Sequence, residues 1–317
     1  MTNWKEKLNN QQLKAVTHSG SPLLVLAGAG SGKTRVLTHR TARLIKEEGV
    51  ESERILLLTF TNKAADEMKK RVKKLVGSTP GFAGTFHSFC AGLLRRYGKI
   101  VGLDPDFVIY DQTDKRQALK MVMKELDIDS KVVKVRSVSA QISNAKNEML
   151  SCEAYWDLAR GGYQERVARI WREYQKRLKD YQAVDFDDLL LYGVELLGDE
   201  GVKQQLHEKY RHVLVDEYQD TNKAQYELTK LLVEDNEEGL TVVGDFSQSI
   251  YSWRGADYRN LEHLNRDFSN LKTIELKQNY RSTQNILDAA YGVIENNNTH
   301  PILQLEATKS EGKKIKL

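Results

Sequence analysis

AGAGSGKT, residues 27–34, follows an apolar run and opens a stretch with helical periodicity. That order of strand, glycine-rich turn and helix is what a phosphate-binding loop requires. The glycines Gly28, Gly30 and Gly32, spaced by Ala29 and Ser31, let backbone N–H groups converge on a phosphate, which also meets the positive end of a helix. Lys33 supplies a point charge for the outer phosphates, and Thr34 a hydroxyl for Mg²⁺. Ala27 stands where the general pattern has glycine, so the turn there need not take positive φ. VLVDEYQD (213–220) supplies the second component, carrying Asp216 and Glu217 to the end of an apolar strand. Asp216 suits a Mg²⁺ ligand, and Glu217 suits a group that orients or deprotonates an attacking water. Alone, an Asp-Glu pair reads as a solvated strand end; beside the loop it completes a nucleotide-hydrolysing site. Asp220 reads as a cap for the helix starting at Thr221-Asn222.

VVGDFSQSIYSWRGAD (242–257) repeats the arrangement of strand and polar turn. Its Gln248 is a neutral amide suited to sensing a γ-phosphate. Tyr251, Trp253 and Arg254 follow at once, aromatic and cationic groups on an expected loop. Further candidates for nucleic acid stand on other turns: Phe60 with Thr61, Asn62 and Lys63, then Phe86 with His87. Aromatic faces stack on unpaired bases for about 1–3 kcal/mol each, whatever the base. Lys69, Lys70, Arg71, Lys73 and Lys74 make a basic helix that serves equally as a phosphate track or a solvated face. His87 has no second ligand near it in sequence, which argues against a metal role.

These residues need a scaffold, and the apolar runs supply one. LLVLAG (23–28), RILLLTF (54–60), GFAGTF (81–86), HVLVDE (212–217), LTVVGD (240–245) and KTIEL (272–276) read as strands, most of them followed by helical periodicity. Alternating strand and helix predicts an α/β fold, a parallel sheet with helices on both faces. Residues 111–200 lack any strand signature and read as an all-helical insertion. The whole chain of 317 residues, with 40% apolar and 29% charged residues, is long enough for about two domains. A net charge of +4 leans mildly toward polyanions. Two cysteines too far apart for a CxxC motif, and no long apolar span, fit a reducing, cytoplasmic setting.

LNNQQLKAV, AGAGSGKT, TFTNKAADEM, GTFHSFC, VDFDDLL, VLVDEYQDTN, VVGDFSQSIYSWRGAD and LKQNYRST, in that order over residues 8–287, resemble the UvrD/Rep/PcrA group of superfamily 1 DNA helicases. The resemblance implies a P-loop NTPase of RecA-like fold, its first domain formed by 1–110 and 201–272. It implies a helical insertion at 111–200 and the start of a second RecA-like domain at 273–317. The implied activity is an ATP-driven motor moving 3′ to 5′ on single-stranded DNA and unwinding duplex. ATP and Mg²⁺ are the implied cofactors; single strands and single-strand/duplex junctions are the implied partners. Residue by residue, Gln12 resembles the reader of adenine, with Arg35 beside the base and Tyr280 stacked on it. Lys33, Thr34, Asp216 and Glu217 keep the roles given above, and Gln248 matches the γ-phosphate contact. Arg281 resembles an arginine finger. Phe60, Phe186, Tyr251 and Trp253 match positions that stack on bases.

Two departures stand out. Phe246 replaces a second acidic residue common in the third motif, and the later motifs of the second domain do not occur in the chain. Arg281 is therefore expected on the first strand and helix of an uncompleted domain, poorly positioned unless a second chain or copy supplies the rest. The expected activity is Mg-ATP binding with weak single-strand affinity and no unwinding. The rival is a nucleotide-gated binding module without motor action; a small-molecule kinase lacks a recognisable substrate pocket and lid.

Overall fold

A computed structural model describes residues 7–252 and 255–315. Trp253 and Arg254, two of the DNA candidates, lie outside the described residues. The strands are β1 (Leu23–Ala27), β2 (Ile55–Thr59), β3 (Phe82–Thr85), β4 (Val108–Tyr110), β5 (Ala183–Asp185), β6 (His212–Val215), β7 (Leu240–Gly244), β8 (Lys272–Leu276), β9 (Gln278–Asn279) and β10 (Glu306–Ala307). Six of them form one sheet in the order β3-β2-β6-β7-β1-β8, with every pairing parallel. Successive residues point to opposite faces of a strand, and both faces here are covered. Leu24, Leu56, Leu58, Val213, Val215 and Val242 enter one apolar core. Leu23, Val25, Ile55, Leu57, Leu214 and Val243 enter another across the sheet. Burial on both faces explains why these strands read as unbroken apolar runs.

A third core, from Ala118 to Ala183, belongs to the helical block. Three differences from the sequence expectation follow from packing. First, the block is not purely helical, because β5 pairs in parallel with β4. Three residues are too few to show a strand period. Second, the helices Phe186–Leu196 and Glu200–Lys209 send Leu189, Leu190, Leu196, Val202 and Leu206 into the first core rather than the third. Third, β8, expected at the start of a second domain, is joined to the sheet of the first. It hydrogen-bonds along the whole of β1, with Leu23 opposite Lys272 and Ala27 opposite Leu276, as the sheet's edge strand. The chain leaving β8 therefore emerges beside the loop leaving β1. Among the described residues, no helix is long and apolar enough to cross a membrane.

Candidate nucleotide site and nucleic-acid groove

The loop after β1 sits at the carboxyl end of the sheet, where open α/β folds bind ligands. Gly30 and Gly32 take φ of 79° and 95°, conformations that side chains rarely adopt. Each glycine of the loop is also met by a different part of the chain. A Cβ would fall 2.5 Å from the Leu305 side chain at Gly28, 2.5 Å from Arg281 Cβ at Gly30 and 2.6 Å from Gln12 Nε2 at Gly32. Lys33 opens the helix Lys33–Lys46 and is only 8% exposed. Its Nζ donates to Gln248 Oε1 at 3.1 Å and lies 3.2 Å from Glu217 Oε2. Three motifs, from β1, β6 and β7, thus meet at one ammonium.

Glu217 has a left-handed backbone, φ 52° and ψ 47°, which costs a non-glycine residue about 1–3 kcal/mol. Its carboxylate is steadied by Gln219, whose Nε2 donates to Glu217 Oε2 at 2.9 Å and to Asp220 Oδ2 at 3.3 Å. Gln219 Oε1 accepts from Asp245 N at 3.0 Å, and Gln248 Nε2 donates to Asp245 Oδ2. A closed set of hydrogen bonds therefore joins the β6 and β7 turns. Asp220 does not cap the next helix as expected: Asn222 does, accepting from Gln225 N in a reciprocal capping box.

Thr34 Oγ1 donates to Asp216 Oδ2 at 3.2 Å. Burial, then the neighbouring Glu217, push the Asp216 carboxyl up to about 6, against the pull of Lys33. A hydroxyl beside a buried, charge-stressed carboxylate is an oxygen donor set that a hard cation would relieve, so Mg²⁺ fits Thr34 and Asp216. Burial, then Glu217, likewise push Asp220 up to about 6. A carboxyl with a raised folded pKa contributes stability below its unfolded value that is lost as pH rises through the folded one. Asp220→Asn should therefore raise Tm by a few degrees at pH 8, for ~1–3 kcal/mol, and much less at pH 4. Thermal melts at the two pH values check this; an equal shift at both would remove the electrostatic cause.

The opposite wall of the loop comes from the chain after β8. Asn279 Nδ2 donates to Ala29 O, and Tyr280 N donates to Gly30 O at 2.9 Å. Asn279 Oδ1 accepts from Arg281 N and Ser282 N at 2.8 and 2.7 Å. Arg281 is therefore not left unplaced, contrary to expectation: its backbone is pinned against the phosphate loop. Among the described residues its guanidinium has no carboxylate partner. Arg35 lies over the Tyr280 ring at 5.9 Å, so the two residues expected at the adenine face each other. Gln12 is wholly buried, donating from Nε2 to Ser31 O at 2.8 Å and accepting from Asn9 N at 3.2 Å. In this form it props the loop.

A groove of about 720 Å³ separates the β2, β3 and β6 turns from the helical block. Phe60, Thr61, His87, Phe186, Asp220 and Asn222 line it, together with Arg116, Arg136, Ser143 and Asn144 of the helical block. Phe186 is 44% exposed, with His87 edge-on to it at 5.7 Å. Burial lowers the His87 pKa, against the pull of Asp187. Phe60 and Tyr251 stack on one another, 5.0 Å between centroids. Thr61 is committed to capping the helix Asn62–Val76, and Asn62 is its first residue. Phe86 is not a stacking face: it is 3% exposed and packs in the first core, because the first turn of its helix points inward. Nor does the basic run 69–74 border the groove; the half-buried Lys69 and the exposed Arg71 pair with Asp66 and Glu67. Phe246, at the position of the missing acid, is core and stacks on His300 at 5.7 Å.

The profile of the UvrD/REP helicase N-terminal domain matches residues 8–269. The chain belongs to the UvrD/REP helicase family. The profile of the UvrD-like helicase C-terminal domain matches residues 274–317. "ATP-dependent DNA helicase PcrA" of Leuconostoc citreum is 43% identical over 312 residues, 97% of this chain and 42% of that protein. Proteins of the same name from Staphylococcus epidermidis and Staphylococcus aureus are each 45% identical, over 315 and 311 residues. These cover 98% and 97% of this chain, and 43% and 42% of those proteins. The chain spans less than half the length of the curated relatives it matches. In this UvrD/REP chain, four residues that sequence reading passed over sit at the sites: Asn279 and Gln219 at the loop, Arg116 and Arg136 in the groove. Asn279 and Gln219 fall inside quoted motifs, a signal that was available; the two arginines had none.

Proposed function

We propose that this chain holds Mg-ATP at the loop 27–34 and single-stranded DNA in the groove beside it, as the nucleotide-hydrolysing part of a 3′-to-5′ DNA helicase. The observation that carries the reading is the meeting of Lys33, Glu217 and Gln248 within 3.2 Å at the mouth of the loop. Lys33 neutralises the outer phosphates. Glu217, fixed by Gln219, orients the attacking water and takes its proton. Gln248 touches both Lys33 and Asp245, which suits a reporter of the γ-phosphate. Arg281, held beside Gly30, offsets charge on the transferred group. Thr34 and Asp216 would hold Mg²⁺, which supplies Lewis-acid neutralisation of the phosphates when bound. Arg35 and Tyr280 flank adenine.

In the groove, Phe186 and Phe60 offer stacking faces, with Tyr251 stacked behind Phe60, while Arg116 and Arg136 take phosphates. The first domain comprises 1–110 and 201–272, extended to include β8, and the insertion runs from 111 to about β5. A cytoplasmic setting, preference for single-strand/duplex junctions and completion of the site by another chain or copy belong to the same proposal. Unwinding is assigned to the longer protein, not to these residues alone.

Fluorescence anisotropy with a labelled oligonucleotide and a labelled ATP analogue tests the reading. Phe186→Ala should weaken strand binding by ~1–3 kcal/mol. Arg136→Ala should flatten the slope of log K against log salt by about 0.7. Failure of the unaltered chain to bind either ligand would overturn the assignment. Binding of both, with ATP turnover indifferent to the oligonucleotide, would favour a gated binding module.

A further inference from the structure

We infer that Asp220 is the positioning residue through which occupancy of the groove is felt at the hydrolytic carboxylate. The inference rests on the proposed function. Asp220 follows Glu217 by three residues, at the end of the short turn Tyr218–Asp220, and is 8% exposed. It does not cap the next helix, since Asn222 does so. Its Oδ2 shares Gln219 Nε2 with Glu217, so one amide nitrogen holds both carboxylates. Its Oδ1 is buried without a hydrogen-bond partner among the described residues. Leaving a buried acceptor unsatisfied is costly, and native proteins seldom do so without a reason. Asp220 also lines the groove, as do Arg116 and Arg136 of the helical block.

The chemistry of a single strand says what reaches Oδ1. Phosphates are repelled by a carboxylate and drawn to the two arginines. The N–H donors of DNA are all on its bases. The strand therefore lies with phosphates toward Arg116 and Arg136 and a base edge toward Asp220. A base N–H donated to the carboxylate, once the Asp220 side chain turns Oδ1 toward the groove, offsets the Asp220 charge. That weakens its claim on Gln219 and lowers its repulsion of Glu217, leaving the amide to fix Glu217 for water attack. Linkage requires the converse as well: nucleotide that orders Glu217 tightens the strand.

The test is a thermodynamic cycle on the full 317-residue chain. Affinity for a mixed-sequence oligonucleotide is measured with and without Mg²⁺ and a non-hydrolysable ATP analogue. The ratio of the two affinities is the readout, because a purely structural role would shift both limbs together. The unaltered chain should show a ratio of about five or more. Asp220→Asn should bring it close to one, as should an oligonucleotide with abasic sites presented to the unaltered chain. Asp220→Ser serves as a second variant with different packing, and thermal melts confirm that each is folded. A ratio unchanged in both variants, or equal for abasic and normal strands, overturns the inference and leaves the proposed function standing. A ratio of one in the unaltered chain overturns it too. Absence of binding by either ligand removes the proposed function along with it.

Discussion

Replacing Glu217 by glutamine should lower ATP turnover about 10²–10⁴-fold, the usual contribution of a positioned general base. Nucleotide affinity should stay the same or rise. The amide is isosteric and keeps an oxygen for Gln219 Nε2, which holds the carboxylate at 2.9 Å. It loses the charge that now sits 3.2 Å from Lys33 Nζ, so the ammonium is released to the phosphates. Phosphate release under single-turnover conditions, with oligonucleotide present, registers even slow rates. Glu217→Gly makes an informative companion. Glycine accepts φ 52° without strain, so this variant should be more stable while equally inactive. Undiminished turnover in Glu217→Gln would show that another group activates the water.

What the sequence made legible was local. The phosphate loop is a contiguous stretch, and its strand, turn and helix each carry their own residue signs. Strands β1, β2, β6 and β7 were readable because burial on both faces leaves no polar alternation to confuse them. The contacts that assemble the site are of another kind. Asn279 bonds Ala29 from 250 residues away, and nothing in KQNYR says which loop it clasps. β8 reads as a strand from KTIEL, yet its choice of β1 as partner is a decision of packing at the sheet edge. Phe86 and Phe186 are both first residues of helices; only the neighbouring core decides that one is buried and the other bare. The left-handed turn at Glu217 is imposed from outside as well, since no glycine or asparagine announces it.

Lys146→Met should destabilise the fold by ~3–5 kcal/mol, the cost of leaving buried charge without its partner. Lys146 Nζ lies 3.0 Å from Asp185 Oδ2 and 2.7 Å from Asp188 Oδ1, all three side chains almost fully buried. Lys115 joins them, 2.9 Å from Asp185 and 2.7 Å from Asp187, which also accepts from Ser143 Oγ at 2.6 Å. Burial opposes ionisation of Asp185, but Lys146 and then Lys115 hold it well below the usual carboxylate range. Asp188 is pushed up to about 6 by burial and then by Asp185. Without Lys146 the Asp188 pKa must rise further. Stability of the variant is then lost as pH climbs through that raised value, so the penalty should be larger at pH 8 than at pH 5. Adding Asp188→Asn should recover part of the loss, because the uncompensated charge is gone while an oxygen remains for Asp185 N. Urea unfolding of the single and double variants at both pH values checks each step; equal penalties at pH 5 and pH 8 would mean that packing, not charge, is what Lys146 provides. The consequence for function follows from position. Ser143 and Asp187 border the groove and Phe186 precedes Asp187 in the chain, so the same ion network that ties the helical block to β5 also sets the spacing of the groove walls. Strand affinity should therefore fall in Lys146→Met even where the chain remains folded, and return with Asp188→Asn in step with stability.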